Sequence, residues 1–415
     1  MKHKNLYALT CSRFFSSYSE NVIHFLLPVM IYKAYGSIHD AGLVVVLHVA
    51  SRLVGYPLSG VICDQVGEKK VLVLSSFLRS AVCFLSFSLL TFYVKDSKSV
   101  LFIVLNLLAL VDGFSGGVAQ IAFESIGPKF FPKEQFGTFQ ASVQSAQQGA
   151  FLLAPVSGAF LLDSLGQALL LGLLSVFFLV SALVVRTDSV AVNRAERTRV
   201  FHQAPFSFSL LFSSLSVILK DQIILITLVL TLLDNLLLGL YGAMSTPLGL
   251  GLFQQTDQSL GWMVTLSYFV SLITISFSHW IHSRKSTLWL LSFSYLISYL
   301  GFFILGVASH FLIFAFALIL IESSCAAGVF ALRIVRAQYI PGRDFGKISG
   351  ILTLLQQLTL PIGGLMVASV SEPQNLQTLI LVCSFILGGI TLWLFLRLAQ
   401  RMRSHQVMGF SVSRL

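Results

Sequence analysis

An all-α polytopic membrane protein, crossing the bilayer twelve times as two parallel six-helix repeats, is what this sequence predicts, and three observations predict it. Hydrophobic residues fill 56% of the 415 positions and charged residues only 11%, which leaves a water-facing surface too few polar groups. Twelve apolar segments approach or exceed the roughly 20 residues that span a hydrocarbon core. Of the 27 lysines and arginines, Arg13, Arg52 and Arg79 fall inside segments, Lys33, Lys95 and Lys98 fall on one side of the membrane, and all the others fall on the side of the N-terminus. By the positive-inside rule both termini are expected in the cytoplasm, in a bacterial-type inner membrane.

The first segment, near 6–32, is interrupted by Arg13 and Glu20 and followed by no small-residue cleavage site, so it reads as a retained helix and not as a leader. Segments near 41–62, 71–93, 100–123, 139–162 and 168–185 complete the first six. A hydrophilic stretch carrying Arg186, Arg194, Arg197 and Arg199 follows, and six more segments lie near 223–250, 260–280, 287–307, 312–332, 348–370 and 378–396. The domain reading is a six-helix bundle at 1–185, a cytoplasmic loop at 186–220, a second bundle at 221–400 and a cytoplasmic tail at 401–415. The net charge of +10 sits in short loops between spans and not on one folded domain, which points to topology signals and anionic lipid headgroups and away from nucleic acid. Cys11, Cys63, Cys83, Cys325 and Cys383 lie in or beside spans without a CxxC pair, so neither a disulfide nor a cysteine metal site is expected.

The halves repeat each other. "FFPKEQFGTFQASVQSAQQ" from Phe130 aligns with "YIPGRDFGKISGILTLLQQ" from Tyr339, matching Pro132 with Pro341, Phe136 with Phe345, Gly137 with Gly346, Gln147 with Gln356 and Gln148 with Gln357 at a common spacing of 209. "APVSGAF" at Ala154 echoes "LPIGGLM" at Leu360 three residues out of step. Chance similarity between apolar helices does not reproduce a polar loop and its proline, so the repeat is read as an internal duplication. Parallel six-helix repeats describe transporters that alternate access about a midplane site.

Between the second and third segments stands "GVICDQVGEKK", Gly60 to Lys70. It resembles the GxxxDxxGxx[RK] loop of the major facilitator superfamily, which implies that family's fold. Glycines Gly60 and Gly67 permit a tight turn and close helix approach, Asp64 accepts hydrogen bonds from a facing helix N-terminus, and Lys69 and Lys70 hold the loop in the cytoplasm. The resemblance implies that Asp64 belongs to the gate that locks one half against the other. The second-half counterpart, His282 to Lys285, keeps only Arg284 and Lys285. Within the superfamily, "PVMIYKAYGS" from Pro28, "GYPLSGVICD" from Gly55 and "IPGRDFGKISG" from Ile340 resemble the macrolide-efflux and enterobactin-exporter branch. A shorter stretch, "RFFSSYSENVIHFLLP" from Arg13, is similar to the first helix of ferroportin-like iron exporters, with Glu20 and Asn21 at the acid and amide positions.

Ionisable residues at mid-span carry the chemistry, because charge in hydrocarbon costs several kcal/mol and persists where it is paired or wet. Glu20, Asp112, Asp234 and Glu322 each lie roughly 17 to 22 Å along their helices, near the bilayer centre. They are equivalent in the repeat: Glu20-Asn21 and Asp234-Asn235 are 214 apart, Asp112 and Glu322 are 210 apart. The family resemblance implies that their helices, the first, fourth, seventh and tenth, line the central cavity. Arg13, Ser17, Glu20 and His24 share one face of the first helix. Two readings stand: Glu20 or Asp112 exchanges a proton, burial favouring its neutral form and nearby cations its charged form, or these acids only neutralise the structural partners Arg13, Arg52 and Arg79. Arg333 stands at a helix end, and no mid-span arginine is expected in the second half.

Other residues narrow the function. His24 is a proton relay, a metal ligand with Glu20 and Asn21, or a plain hydrogen-bonding residue; His48 reads as the last of these. Glutamines Gln140, Gln144, Gln147, Gln148, Gln356 and Gln357 read as interhelical hydrogen bonders, and Tyr18, Tyr241 and Trp262 as candidate cavity aromatics. "DGFSGG" from Asp112 resembles an antiporter pattern whose arginine is here Asp, and "APVSGA" from Ala154 is a degraded form of the antiporters' fifth-helix pattern. No P-loop, dinucleotide-binding glycine pattern, HExxH or GxSxG occurs, so neither an enzyme nor a cofactor is expected. Four central acids favour cations or proton-carrying solutes. The leading reading is proton-coupled export of a drug-like amphiphile or siderophore by a monomer, as the superfamily implies. Its rivals are export of a divalent metal such as iron and proton-symport uptake of a nutrient or iron-siderophore.

Overall fold

The computed structural model describes residues 3–93, 98–130, 133–187, 218–282, 286–340 and 345–407. The chain separates into two compact units, Met1–Ser207 and Phe208–Leu415. Each is a bundle of six helices.

In the first unit, α1 is His3–Tyr35, α2 Ile38–Val66, α3 Glu68–Ser88 with a π-helical turn Leu89–Tyr93, and α4 Lys98–Phe130. A continuous run Lys133–Thr187 breaks at Gly166 (φ 75°, ψ 171°), a backbone region open to glycine and costly for other residues, and so forms two helices, α5 (133–165) and α6 (167–187). The start of α2 is capped by the Ser37 hydroxyl, which accepts from the Asp40 amide at 3.1 Å. Interhelical contacts run through small and hydroxyl-bearing residues, as packing in lipid requires. A Cβ on Gly113 would meet the His48 carbonyl at 2.2 Å, and one on Gly117 the Arg52 carbonyl at 2.4 Å, so α4 touches α2 backbone to backbone. Ser80 on α3 and Ser175 on α6 donate to each other's carbonyls at 2.8 and 2.9 Å, and Ser181 donates to the Ser12 carbonyl at 3.0 Å. An apolar core of Cys63, Val71, Ala122, Phe123, Ile126 and Phe139 ties α2 to α5.

In the second unit, α7 is Gln222–Thr246 extended by a π-helical turn Pro247–Leu252, α8 Asp257–His282, α9 Thr287–Gly306, and α10 Phe311–Tyr339. The next helix, α11, has two pieces, Phe345–Gln357 and Thr359–Ala368, and α12 is Pro373–Val407. Asp221 caps α7, accepting from the amides of Ile223 and Ile224 at 2.9 and 3.0 Å. Gly239 and Gly363 let α7 and α11 meet: their Cβ atoms would stand 2.3 Å from the Leu360 carbonyl and 2.5 Å from that of Leu236.

Among the described residues nine segments are long and apolar enough to cross a membrane. One of them, Ser142–Arg186, holds both α5 and α6; α11 appears as the shorter apolar stretch Leu354–Ala368, and α1 is less apolar. Large apolar side chains, Leu312, Phe385 and Trp262 among them, lie exposed on the outside, the surface a hydrocarbon solvent accepts.

Three expectations change. The motif from Gly60 to Lys70 is not a loop: α2 continues through Asp64 to Val66, Gly67 alone (φ 89°) forms the joint, and Lys69 and Lys70 start α3. One glycine suffices because its positive φ redirects the chain within a single residue. The Asp64 side chain, Pro132, Pro341, Arg284, Lys285 and most of the central loop lie outside the described residues. Residues 218–220 are helical where the loop was expected, and α12 continues through 401–407 where the tail was expected. The tenth helix, expected to end near 332, continues to Tyr339, which carries Arg336 into the bundle.

Candidate functional site

The first unit gathers Glu20, His48, Arg52, Arg79 and Asp112 into one largely buried cluster. Glu20 on α1 is 7% exposed; its Oε1 is 2.6 Å from Arg52 Nη1 on α2, and its Oε2 is 3.1 Å from Arg79 Nη1 on α3. Asp112 on α4, 1% exposed, pairs through Oδ1 with Arg79 Nε at 3.4 Å and through Oδ2 with His48 Nε2 at 3.1 Å. Arg79 also donates to Ser115 and Ser16 at 3.0 and 3.3 Å and lies 5.3 Å from the Phe178 ring centroid. Arg52 donates further to Tyr56 and Gln120 at 3.0 and 2.8 Å. Two carboxylates thus meet two guanidinium groups, with Arg13 a further cation acting on Glu20, while Asp112 Oδ1 and Arg79 Nη2 have no hydrogen-bond partner. Gly116 makes room for the cluster, since a Cβ there would stand 2.4 Å from Arg79 Nη2.

Other residues of the predicted stripe have other partners. Arg13, expected as an ion-pair partner, donates to Gln147 Oε1 at 2.8 Å and packs 4.9 Å from the Phe123 centroid, with Glu20 and Glu124 as its electrostatic neighbours. Asn21 donates to the Ser17 carbonyl of its own helix at 2.6 Å. His24 is exposed, with its ring centroid 5.1 Å from that of His48. His48, read from sequence as incidental, joins the charge cluster; its spacing on α2, four residues before Arg52, was the available signal. Tyr18 hydrogen-bonds Ser157 at 2.7 Å, whereas Trp262 is exposed on α8.

The second unit carries the equivalent acids in a different setting. Asp234 on α7 is 9% exposed; its Oδ2 accepts from the Cys325 thiol of α10 at 3.8 Å, and Ser298 on α9 is a further hydrogen-bonding neighbour of the same carboxyl. Glu322, one turn from Cys325 on α10 and partly exposed, has Tyr241 and Tyr268 as electrostatic neighbours. Among the described residues neither acid has an ion pair. On α8 and α9, which correspond to the arginine-bearing α2 and α3, the residues near the acids include Tyr268, Tyr295, Ser298 and Tyr299.

The repeat is kept elsewhere. Gln356, the partner of Gln147, likewise accepts from a guanidinium, the part-buried Arg336 Nη1 at 3.0 Å. Thr227 stands where Arg13 does, at the spacing of 214, and α10 supplies the cation that α1 supplies in the first unit. Arg336 also donates to Thr231 Oγ1 at 2.9 Å. Arg336 stands in the last turn of α10 and not at mid-span, and its guanidinium turns toward α7 and α11. Asn235 donates to the Gln356 carbonyl at 2.6 Å, tying α7 to α11.

Twelve membrane helices in two units, each with buried acids on equivalent helices, define a multi-pass transporter. A family model described as the Major Facilitator Superfamily matches residues 9–364, and the chain belongs to that superfamily. Solved structures similar to it include a bacterial homologue of the iron transporter ferroportin in an inward-facing state, 16% identical, with a TM-score of 0.73 over 96% of this chain and 99% of that one. The nucleoside transporter NupG is 12% identical, with a TM-score of 0.74 over 95% and 100% of the two chains. A D-xylose–proton symporter is 14% identical, with a TM-score of 0.69 over 92% and 96%. At these identities the likeness shows the fold. No curated protein matches the chain.

Proposed function

We propose that this chain is a proton-coupled secondary transporter of a bacterial inner membrane that exports a small organic solute, a drug-like amphiphile or siderophore, by alternating access. The observation that carries the reading is the contrast between the units. Glu20 and Asp112 are neutralised by Arg52 and Arg79, whereas Asp234 and Glu322 have no ion pair among the described residues. Holding a bare charge at such a depth costs several kcal/mol, so these two carboxyls are where a proton or a cationic solute exchanges. The first-unit cluster then serves as a fixed, internally neutral scaffold.

The test is proton flux in liposomes with an internal pH dye, under an imposed pH gradient, on adding cationic dyes, siderophores or divalent metals. Flux with an organic solute, lost in Asp234→Asn and Glu322→Gln, is the expected result; flux in both variants equal to wild type overturns it. Accumulation of the solute in intact cells, and not in everted vesicles, would convert export to symport uptake.

Divalent metal export has one observation in its favour, the exposed His24 one turn from Glu20. Against it, both Glu20 oxygens are held by arginines, Asn21 is committed to a backbone carbonyl, and no group of three His, Cys, Asp or Glu among the described residues is able to hold a metal ion. Flux with divalent metals alone would move the function to this reading.

A further inference from the structure

We infer that the end of α12, together with the adjoining ends of α8 and α9, binds the headgroup of an anionic phospholipid through Arg397 and Arg401. The inference stands on the membrane fold alone and needs neither the proposed solute nor its coupling. Trp393, Arg397 and Arg401 recur every four residues and share one face of α12, and all three are exposed. Arg397 Cζ lies 4.1 Å from the Trp393 ring centroid, at the point where the apolar run of the helix stops. An aromatic ring steadies a cation but gives its N–H groups no oxygen. Ile281, Leu288, Leu291, Leu398 and Met402 pack in one core, so the last turn of α8 and the first turn of α9 stand at the same membrane edge. Three of the chain's four tryptophans, Trp280, Trp289 and Trp393, are exposed at that edge, the level at which such rings sit between hydrocarbon and headgroups.

Charge and surroundings select the ligand. No Asp or Glu occurs from Gln258 to Ile321 or from Pro373 to Leu415, so α12 and the adjoining ends of α8 and α9 hold no carboxylate that would repel an anion. Arg397 and Arg401 stand roughly 6 Å apart along the helix, and each guanidinium is a planar fork that matches phosphate oxygens. Phe293 on α9 and Leu392 and Leu396 on α12 are exposed apolar surface next to this edge, which a free phosphate leaves uncovered and an acyl chain covers. A zwitterionic lipid covers it too, but brings a cation of its own against two arginines. A lipid with a net negative headgroup meets both conditions.

Lipid retention is measured by mass spectrometry of the intact full chain, released from micelles that hold equimolar phosphatidylglycerol and phosphatidylcholine with acyl chains of different mass. A second run exchanges the chains between the headgroups. The wild type is expected to keep phosphatidylglycerol at least about tenfold over phosphatidylcholine, and Arg397→Gln and Arg401→Gln should each lower that preference about fivefold, the scale of one basic residue at an anionic surface. Arg397→Lys keeps the charge and loses the fork, so it should fall between wild type and Arg397→Gln; it decides if Arg397→Gln fails to fold. Arg333→Gln, which removes an exposed arginine from α10, should leave the preference unchanged. Equal retention of the two lipids by the wild type overturns the site, as does an equal fall in Arg333→Gln and Arg397→Gln, which would make net charge the cause. Full loss of bound phosphatidylglycerol to excess glycerol 3-phosphate also overturns it, because the edge would then bind a soluble phosphate and not a lipid.

Discussion

Glu20 is gripped by two guanidinium groups from two different helices, and its removal leaves the part-buried Arg52 without a carboxylate and the buried Arg79 with Asp112 alone. Breaking a buried pair from one side costs about 3–5 kcal/mol, so Glu20→Gln should lower the melting temperature in detergent by several degrees. Adding Arg52→Gln to it should recover part of the loss. A loss no larger than that of a surface substitution would show that water solvates the cluster. Gly116→Ala tests the same grip through space alone, because its Cβ would displace Arg79. Gly242→Ala, where nothing lies within 4 Å of the added atom, is the control and should be neutral or slightly stabilising. The pairing of Glu20 with Arg52 and Arg79 was legible in the sequence, because charges at one membrane depth have few partners. The role of His48 was not, since a neutral-looking residue on an apolar helix gives no sign of which helix it faces. The contacts of Arg336 gave no signal either, because the apolar run ends before the helix does.

At the scale of the helix, closeness outweighs hydrogen bonding. The Ser80–Ser175 exchange joins α3 to α6, yet a single interhelical hydrogen bond within a membrane is worth about 0.6 kcal/mol. The α2–α4 contact at Gly113 and Gly117 admits no Cβ at all, and forcing one in costs roughly 1–3 kcal/mol or more. Gly117→Val should therefore lower the melting temperature more than Ser175→Ala does, while Gly389→Val, in open space, should have little effect. The reverse order in a thermal melt would make the hydroxyls the main fastening. Span positions were legible to within a few residues because apolar length is the signal itself. The joint at Gly67 was not, since glycine and lysine next to an acid read as a loop, and only the backbone angles reveal that helix fills the stretch.

Across the whole molecule the proposed function has the two units divide their acids between different tasks. Asp234→Asn and Glu322→Gln are expected to leave the melting temperature within about a degree or two of wild type, because they remove charges that have no ionic partner, while abolishing proton flux. Glu20→Gln should show the opposite balance, with a large stability loss. The two measurements, made on the same purified variants, separate scaffold from exchange site; a flux loss confined to Glu20 would reverse the assignment. The duplication made the four acids visible together in the sequence, but their difference depends on what α2 and α3 carry against what α8 and α9 carry, and nothing in the linear pattern aligns those helices. The charge cluster of the first unit has a consequence for how the chain is made. Helix α1 carries Arg13, Glu20, His24 and four serines and is less apolar than the nine spans that stand on composition, and each mid-helix charge opposes insertion by about 2.5–3.5 kcal/mol. Its neutralising partners emerge from the ribosome only with α2 and α3, and α4 adds the second acid. Nascent α1 therefore waits at the translocon and enters the bilayer together with α2, α3 and α4, so that the first four helices partition as one group.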